Sequence, residues 1–387
     1  MTRFRPARIS RPPRAARGFS LIELMTSITI GLLILAGLAS VFVNSSTANR
    51  EMKNSAEQIE NGRYAIEMLT QDIRHAGYYG ELAALPAAPG VAPDPCAAPS
   101  AGAVSDTSNS ALALPVQYIS AASIPAGCAA LLTAANLQPG SDIVVVRRAD
   151  TTLVNSAGGG AITGGTVYLQ TTTDTADLQY GVAGAINNTQ NATGAASTLQ
   201  RRDFSVAASG TPPQFPLIAA AIRTYRTHIY FVAPCSVPNG GGTVCTGNAD
   251  DQGRPIPTLK RLELRRDLST ANPFSIVPLV EGIEAIRIEY GVDNLPATAD
   301  PGTGLIGDGV PDDFRNTPLT VVDMGNTVAM RIFVLARNTA ATSGYIDDKT
   351  YTMGTYTTTA TKDSFKRHVY SAETRVANQS GRREIPR

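Results

Sequence analysis

The 387-residue chain contains no tryptophan, three histidines and four cysteines. With so few ligands, and with the cysteines wrongly spaced for it, a zinc centre is a poor expectation. Charged residues make up 17% of the chain and the formal net charge is +1, which gives no basis for a nucleic-acid partner. No serine, cysteine or lysine stands in a recognisable triad motif. The glycine runs at residues 158–160 and 240–242 lack the strand–helix setting of a phosphate cradle. No catalytic residue is therefore expected, and the chain is not read as an enzyme. What is scarce is also uneven. No acidic residue precedes Glu23, and residues 24–43 carry no charge at all.

The uncharged stretch is the feature around which the rest is organised. About twenty apolar residues suffice to cross a bilayer as a helix. Six arginines precede it (Arg3, Arg5, Arg8, Arg11, Arg14 and Arg17), and they orient that end toward the cytoplasm. The remainder is then expected in the periplasm. An ordinary secretory signal is cut on the far side of its apolar core, where only Ser45-Ser46-Thr47-Ala48 offers a weak site. Here Gly18 closes the basic leader before the apolar run begins, so a cut there keeps the membrane helix on the product. Glu23 stands alone among apolar neighbours. A carboxylate at membrane depth is costly and normally has a partner or a function, and an amine freed at Phe19 is a natural partner.

Residues 18–23, Gly-Phe-Ser-Leu-Ile-Glu, resemble the class III signal of type IV prepilins. The resemblance implies cleavage by a prepilin peptidase between Gly18 and Phe19, N-methylation of Phe19, and an assembly role for Glu23 at the fifth mature position.

Beyond residue 43 the helix is expected to continue to about Ala76 and stop at Gly77, a favoured C-terminal glycine. Met52, Ile59, Ile66 and Ile73 recur every seven residues, joined by Leu69 and Ala76, and read as the buried face. Gly62 suggests a bend. Taken alone, Arg63, Glu67, Asp72 and Arg74 read as a solvated face. Residues 60–80, however, resemble PilW-family minor pilins in their Asn-Gly-Arg-Tyr-Ala, Asp-Ile-Arg and Ala-Gly-Tyr elements (Asn61 to Ala65, Asp72 to Arg74, Ala76 to Tyr78). Many members carry a cysteine directly after this block, where this chain has Glu81.

Residues 82–139 are rich in Ala, Pro, Gly and Ser and read as irregular; residues 172–210 read as a long polar insertion. Strands are expected at 142–147, 166–171, 226–232, 259–265, 280–293, 326–337 and 365–370, with 326–337 near a sheet centre. Segments near 280–293 and 326–337 again resemble the PilW family. The four cysteines lie beyond the membrane helix, where disulfides form. A bridge between Cys235 and Cys245 would close a turn-rich loop and contribute about 2–3 kcal/mol in the chain-entropy model. Cys96 and Cys128 would pair by elimination.

Asp293, Asp300, Asp308, Asp312 and Asp313 occupy a Gly/Pro/Asp-rich loop whose composition suits calcium, with Asp308, Asp312 and Asp313 as candidate ligands. Its spacing departs from an EF-hand, and a solvated turn is the simpler expectation. No other cofactor is expected.

The expected class is α+β, a type IV pilin fold: a long N-terminal helix packed on an antiparallel sheet domain with long insertions. Its parts are a cleaved leader (1–18), a transmembrane and fibre-core half-helix (19–43), an amphipathic half-helix (44–77) and a disulfide-containing β-rich domain (78–387). The resemblance implies a minor pilin that primes type IV pilus assembly at the tip and supports adhesion and twitching motility. Implied partners are other minor pilins, the major pilin, the prepilin peptidase, the inner-membrane assembly platform and a tip adhesin. A minor pseudopilin of a type II secretion system and an exported adhesin domain are the alternatives.

Overall fold

The computed structural model describes residues 18–96, 110–155, 166–182, 185–187, 199–202, 205–210, 214–264, 274–295 and 306–384. The leader arginines, Asp300, the glycines at 158–160 and part of the 172–210 stretch lie outside them. The chain divides into two compact units, Met1–Lys53 and Asn54–Arg387.

Helix α1, Leu21–His75, supplies the described part of the first unit and enters the second. In the first unit its apolar side chains are exposed, and none of its most apolar window is buried. In the second unit it buries Gln58, Gly62, Ala65, Leu69, Asp72 and Ile73. These positions recur at three- and four-residue steps, as one face of a helix requires. The expected heptad face is corrected: Met52 and Ile59 are exposed, at 64% and 46%, and only its later members reach the core. Gly62 does not interrupt the helix. A Cβ there would lie 2.2 Å from the Tyr370 ring, so the glycine serves close approach of the chain that crosses it. After His75, Gly77 takes φ +72° and donates its N–H to the Arg147 carbonyl at 2.9 Å, ending the helix as expected.

The strands that follow are β1 (Val116–Ile119), β2 (Ile143–Asn155), β3 (Val167–Thr171), β4 (Ala176–Val182), β5 (Ala185–Asn187), β6 (Gln200–Arg202), β7 (Leu217–Ala219) and β8 (Ile222–Ala233). They continue with β9 (Thr258–Leu264), β10 (Phe274–Glu281), β11 (Ile283–Val292) and β12 (Asp313–Arg315). After the short helix α2 (Val321–Gly325) come β13 (Thr327–Arg337), β14 (Thr350–Met353), β15 (Tyr356–Thr359) and β16 (Arg367–Arg375). Helix α3 (Ala377–Glu384) ends the described chain.

The single sheet of the sequence reading is in fact several. An eight-stranded antiparallel sheet runs β1-β2-β8-β3-β4-β5, with β9 and β10 branching from β8. Strand β8 organises it: one long edge pairs with β2, while the other pairs first with β3 and then with β9. A four-stranded antiparallel sheet runs β12-β11-β13-β16, with β13 inside it as expected. The expected strand at 280–293 is divided at Gly282, where φ is +74° and an added Cβ would lie 2.7 Å from the Arg337 carbonyl oxygen. On one side β10 belongs to the large sheet; on the other β11 belongs to the small one.

Alternation along the strands separates two cores. Val144, Val146, Tyr230 and Val232 join Ala65, Leu69, Ile73 and Ala76 of α1, and the same cluster includes Ile286, Ile288, Met330 and Ile332 of the small sheet. Their neighbours Val145, Ile229 and Phe231 face the opposite way, into a cluster that contains all four cysteines. Each fully buried Leu or Ile contributes at most about 1.5–3 kcal/mol, so the α1 face is a principal part of the domain's stability. The outer face of the small sheet is covered by the β14–β15 hairpin, with Ala285, Leu335 and Met353 at the contact.

Candidate functional site

The N-terminal end of α1 carries the first set of expected site residues. Gly18 and Phe19 precede the helix, and Phe19 is 88% exposed. Ser20 occupies the N-cap position, and its backbone N–H donates to Glu23 Oε2 at 3.0 Å. This is the return half of a capping box, in which a glutamate at the third helical position satisfies a donor that the helix leaves free. With the leader still attached, the carboxylate thus has a partner within its own turn. The Ser-x-x-Glu spacing carried that signal in the sequence. Below it, the large apolar side chains from Phe19 to Val43 are each at least 54% exposed.

The second set lies where α1 meets the large sheet. Asp72, in the last turn of α1, is 8% exposed. Its Oδ1 accepts from Arg148 Nε at 2.7 Å, and its Oδ2 contacts His228 Nδ1 at 2.7 Å and accepts from Tyr230 Oη at 2.8 Å. The reading of Asp72 as part of a solvated face is therefore corrected. An acid in the last turn of a helix faces the negative end of the helix dipole, so its presence there depends on these donors. Burial opposes the charge, but His228 and Arg148 outweigh it and hold the Asp72 carboxyl well below the usual range. Arg148 also reaches Asp150, which pairs with Arg226. The arrangement ties the helix to β2 and β8 with charge-assisted hydrogen bonds.

The end of α1 is closed by α3. Asn378 Nδ2 donates to the Ala76 carbonyl at 3.1 Å and Arg382 Nη2 to the Gly77 carbonyl at 2.9 Å, meeting acceptors that a helix C-terminus leaves open. Arg383, also buried, pairs with Asp293 at 3.2 Å and donates to the Leu295 carbonyl at 2.7 Å.

Both disulfides form as expected, Cys96–Cys128 and Cys235–Cys245. The Asp-rich loop is held by protein donors. Asp308 accepts from the Val310 amide at 2.9 Å and Asp312 from the Asn294 amide at 2.8 Å, while Asp313 contacts Arg315 Nε at 3.2 Å. Among the described residues these carboxylates do not converge on a common point. Of the histidines, His75 contacts the Gln71 carbonyl at the helix end, and His228 and His368 lie in β8 and β16.

Residues 13–39 match the family model described as the prokaryotic N-terminal methylation motif. Residues 243–378 match the model described as Type IV Pilus-assembly protein W. The chain thus pairs a prepilin-type N-terminus with a PilW-type domain. The first match spans Gly18, Phe19 and Glu23. The second runs from the Cys235–Cys245 loop through β9 to β16, and so contains the whole small sheet and its covering hairpin. The Asn61-to-Tyr78 resemblance lies outside both. No curated protein and no solved structure matches the chain. The long apolar helix and the prepilin motif together fit a membrane-anchored structural subunit.

Proposed function

We propose that this chain is a PilW-like pilin, a low-copy minor subunit that initiates type IV pilus assembly, at the tip and together with other minor pilins. The observation that supports the reading best is the union, in one chain, of a methylation-type leader with a PilW-type domain. On this reading the leader arginines stay in the cytoplasm and the globular domain lies in the periplasm. The prepilin peptidase cuts between Gly18 and Phe19 and methylates Phe19, which leaves the exposed apolar face of α1 on the product. That face first rests in lipid at the assembly platform and later packs against equivalent helices of minor and major pilins. Glu23 then exchanges its Ser20 contact for a partner on a neighbouring subunit. Adhesion and twitching motility follow from the fibre, and no catalytic step is assigned to the chain. The Asp308, Asp312 and Asp313 loop is read as a solvated turn whose carboxylates serve protein donors, and calcium binding there is the lesser reading.

The test is the yield of sheared fibres from a deletion strain in which pilus retraction is also disabled, with secreted proteins assayed in parallel. Scarce pili with normal secretion are expected. Normal pili with trapped secretion substrates would move the protein to a type II secretion system. If both were normal, an adhesin role would replace the priming role.

A further inference from the structure

Each disulfide has a carboxylate oxygen within 4.8 Å, Asp250 at Cys235–Cys245 and Asp94 at Cys96–Cys128, but among the described residues only the first also faces a buried cation. Lys260, in β9, is 2% exposed, and its Nζ lies 3.8 Å from Cys235 Sγ and 3.9 Å from Cys245 Sγ. These sulfurs are its only hydrogen-bond acceptors among the described residues. The nearby carboxylates are occupied elsewhere. Asp250 accepts from Asn239, Thr246 and Gly247, and Asp251 from Ser236, Val237 and Ile256. At the other bridge Asp94 Oδ1 lies 3.8 Å from Cys128 Sγ, and the same carboxylate accepts from the Cys96 and Gly127 amides.

A disulfide sulfur is a weak acceptor, whereas a thiolate is a strong one, and a cation beside a cysteine favours its thiolate. The buried ammonium of Lys260 is thus better matched to the opened bridge than to the closed one. Consistently, burial pushes the Lys260 amine down, with Asp251 and Asp250 only partly opposing that effect. Asp94 and Asp250 each disfavour an anionic sulfur at their own bridge, and among the described residues Lys260 opposes this at Cys235–Cys245 alone.

We propose that Cys235–Cys245 is a redox-responsive bridge whose reduced form Lys260 stabilises, so that it opens to a reducing thiol while Cys96–Cys128 stays closed. The thiolate of an external thiol attacks one sulfur, the S–S bond breaks, and its electron pair leaves on the other cysteine as a thiolate facing Lys260. A second external thiol resolves the mixed disulfide. Two thiols are oxidised to one disulfide, two electrons pass to the protein, and the two thiol protons go to the freed sulfurs or to solvent. Opening releases the surface loop at residues 236–244, in which Val237 is 61% exposed.

The test uses the full chain in detergent, equilibrated in buffers of graded reduced-to-oxidised glutathione. The free thiols are then alkylated and each pair is quantified by peptide mass spectrometry. An equilibrium measurement does not depend on how accessible the buried sulfurs are. The Cys235–Cys245 pair is expected to be half reduced at a ratio about tenfold or more below that of Cys96–Cys128. Lys260→Met should shift the first pair about tenfold toward the oxidised form, leave the second unchanged, and be rescued by Lys260→Arg. Co-reduction of both pairs in the unaltered chain would overturn the proposal, and that arm needs no variant to fold. An unchanged ratio in a folded Lys260→Met protein would do the same.

Discussion

Replacing Asp72 with alanine removes one carboxylate and leaves three donors without their acceptor. Tyr230 and His228 are buried, at 0% and 5% exposure, whereas the Arg148 side chain is 24% exposed and regains water in part. Single hydrogen bonds to a charged group are worth about 1.5–3 kcal/mol. The three share one acceptor and do not add. The cost of breaking a buried pair from one side, about 3–5 kcal/mol, is the better guide. Asp72→Asn keeps the volume and one acceptor oxygen but presents an amide to donors on the other side, so roughly half that loss is expected. The assay is urea unfolding of the full chain in detergent, followed by tyrosine emission, since the chain has no tryptophan. With a slope near 3 kcal/mol per molar, the midpoint should fall by on the order of 1 M for the alanine variant. The sign with pH is also fixed. The folded Asp72 carboxyl lies below its unfolded value, so its contribution is complete above about pH 4 and is lost as pH falls. An Asp72→Ala protein within 1 kcal/mol of the unaltered chain, or with the same acid sensitivity, would refute the reasoning.

Other consequences can be checked as directly. Gly62→Ala gains about 1 kcal/mol of helix propensity but forces a methyl against Tyr370, at about 1–3 kcal/mol; a net loss in the urea midpoint is expected, and a gain would show that the ring yields freely. Asp363 is held at about 2 by Arg367, and Asp250 at about 2 by donors from Asn239, Gly247 and Thr246 despite its burial. Both are depressed, so thermal stability should hold above about pH 4 and fall steadily toward pH 2, and a flat profile would contradict this. Glu23→Ala should leave membrane insertion and leader cleavage intact but remove the protein from sheared fibres; normal incorporation would disprove the assembly role. Because Asp308, Asp312 and Asp313 already serve protein donors, calcium titration should leave the unfolding midpoint unchanged, and a saturable rise would establish a site there.

Periodicity and composition made α1, its stop at Gly77 and most of the long strands readable, because each is a local signal. The errors arise where a side chain answers to distant chain. Asp72 reads as solvated in the sequence because a charge on a helix usually is, and its donors lie 76 to 158 residues away in β2 and β8. On β11, Glu289 alternates as an outward polar residue, yet it is buried beneath the hairpin and accepts from the Thr355 amide at 2.8 Å. Gly282 belongs to a run of strand formers, and only the approach of the Arg337 carbonyl shows why the chain changes sheets there. Helix α3 has almost no apolar periodicity to find. Its place is set by arginine and amide donors that close the ends of other elements rather than by a hydrophobic face.

The same distinction bears on function. The side chains that hold the Asn54–Arg387 unit together find their partners within the chain, through Asp72, Arg383 and two bridges. In the Met1–Lys53 unit the large apolar side chains from Phe19 to Val43 are exposed. At about 25 cal/mol per Å² of apolar surface, a helix stretch with large side chains all more than half exposed is strongly unfavourable in water. It must be covered by lipid or by other helices of its kind. Membrane anchoring, which this helix and the prepilin motif fit, provides the first of those environments.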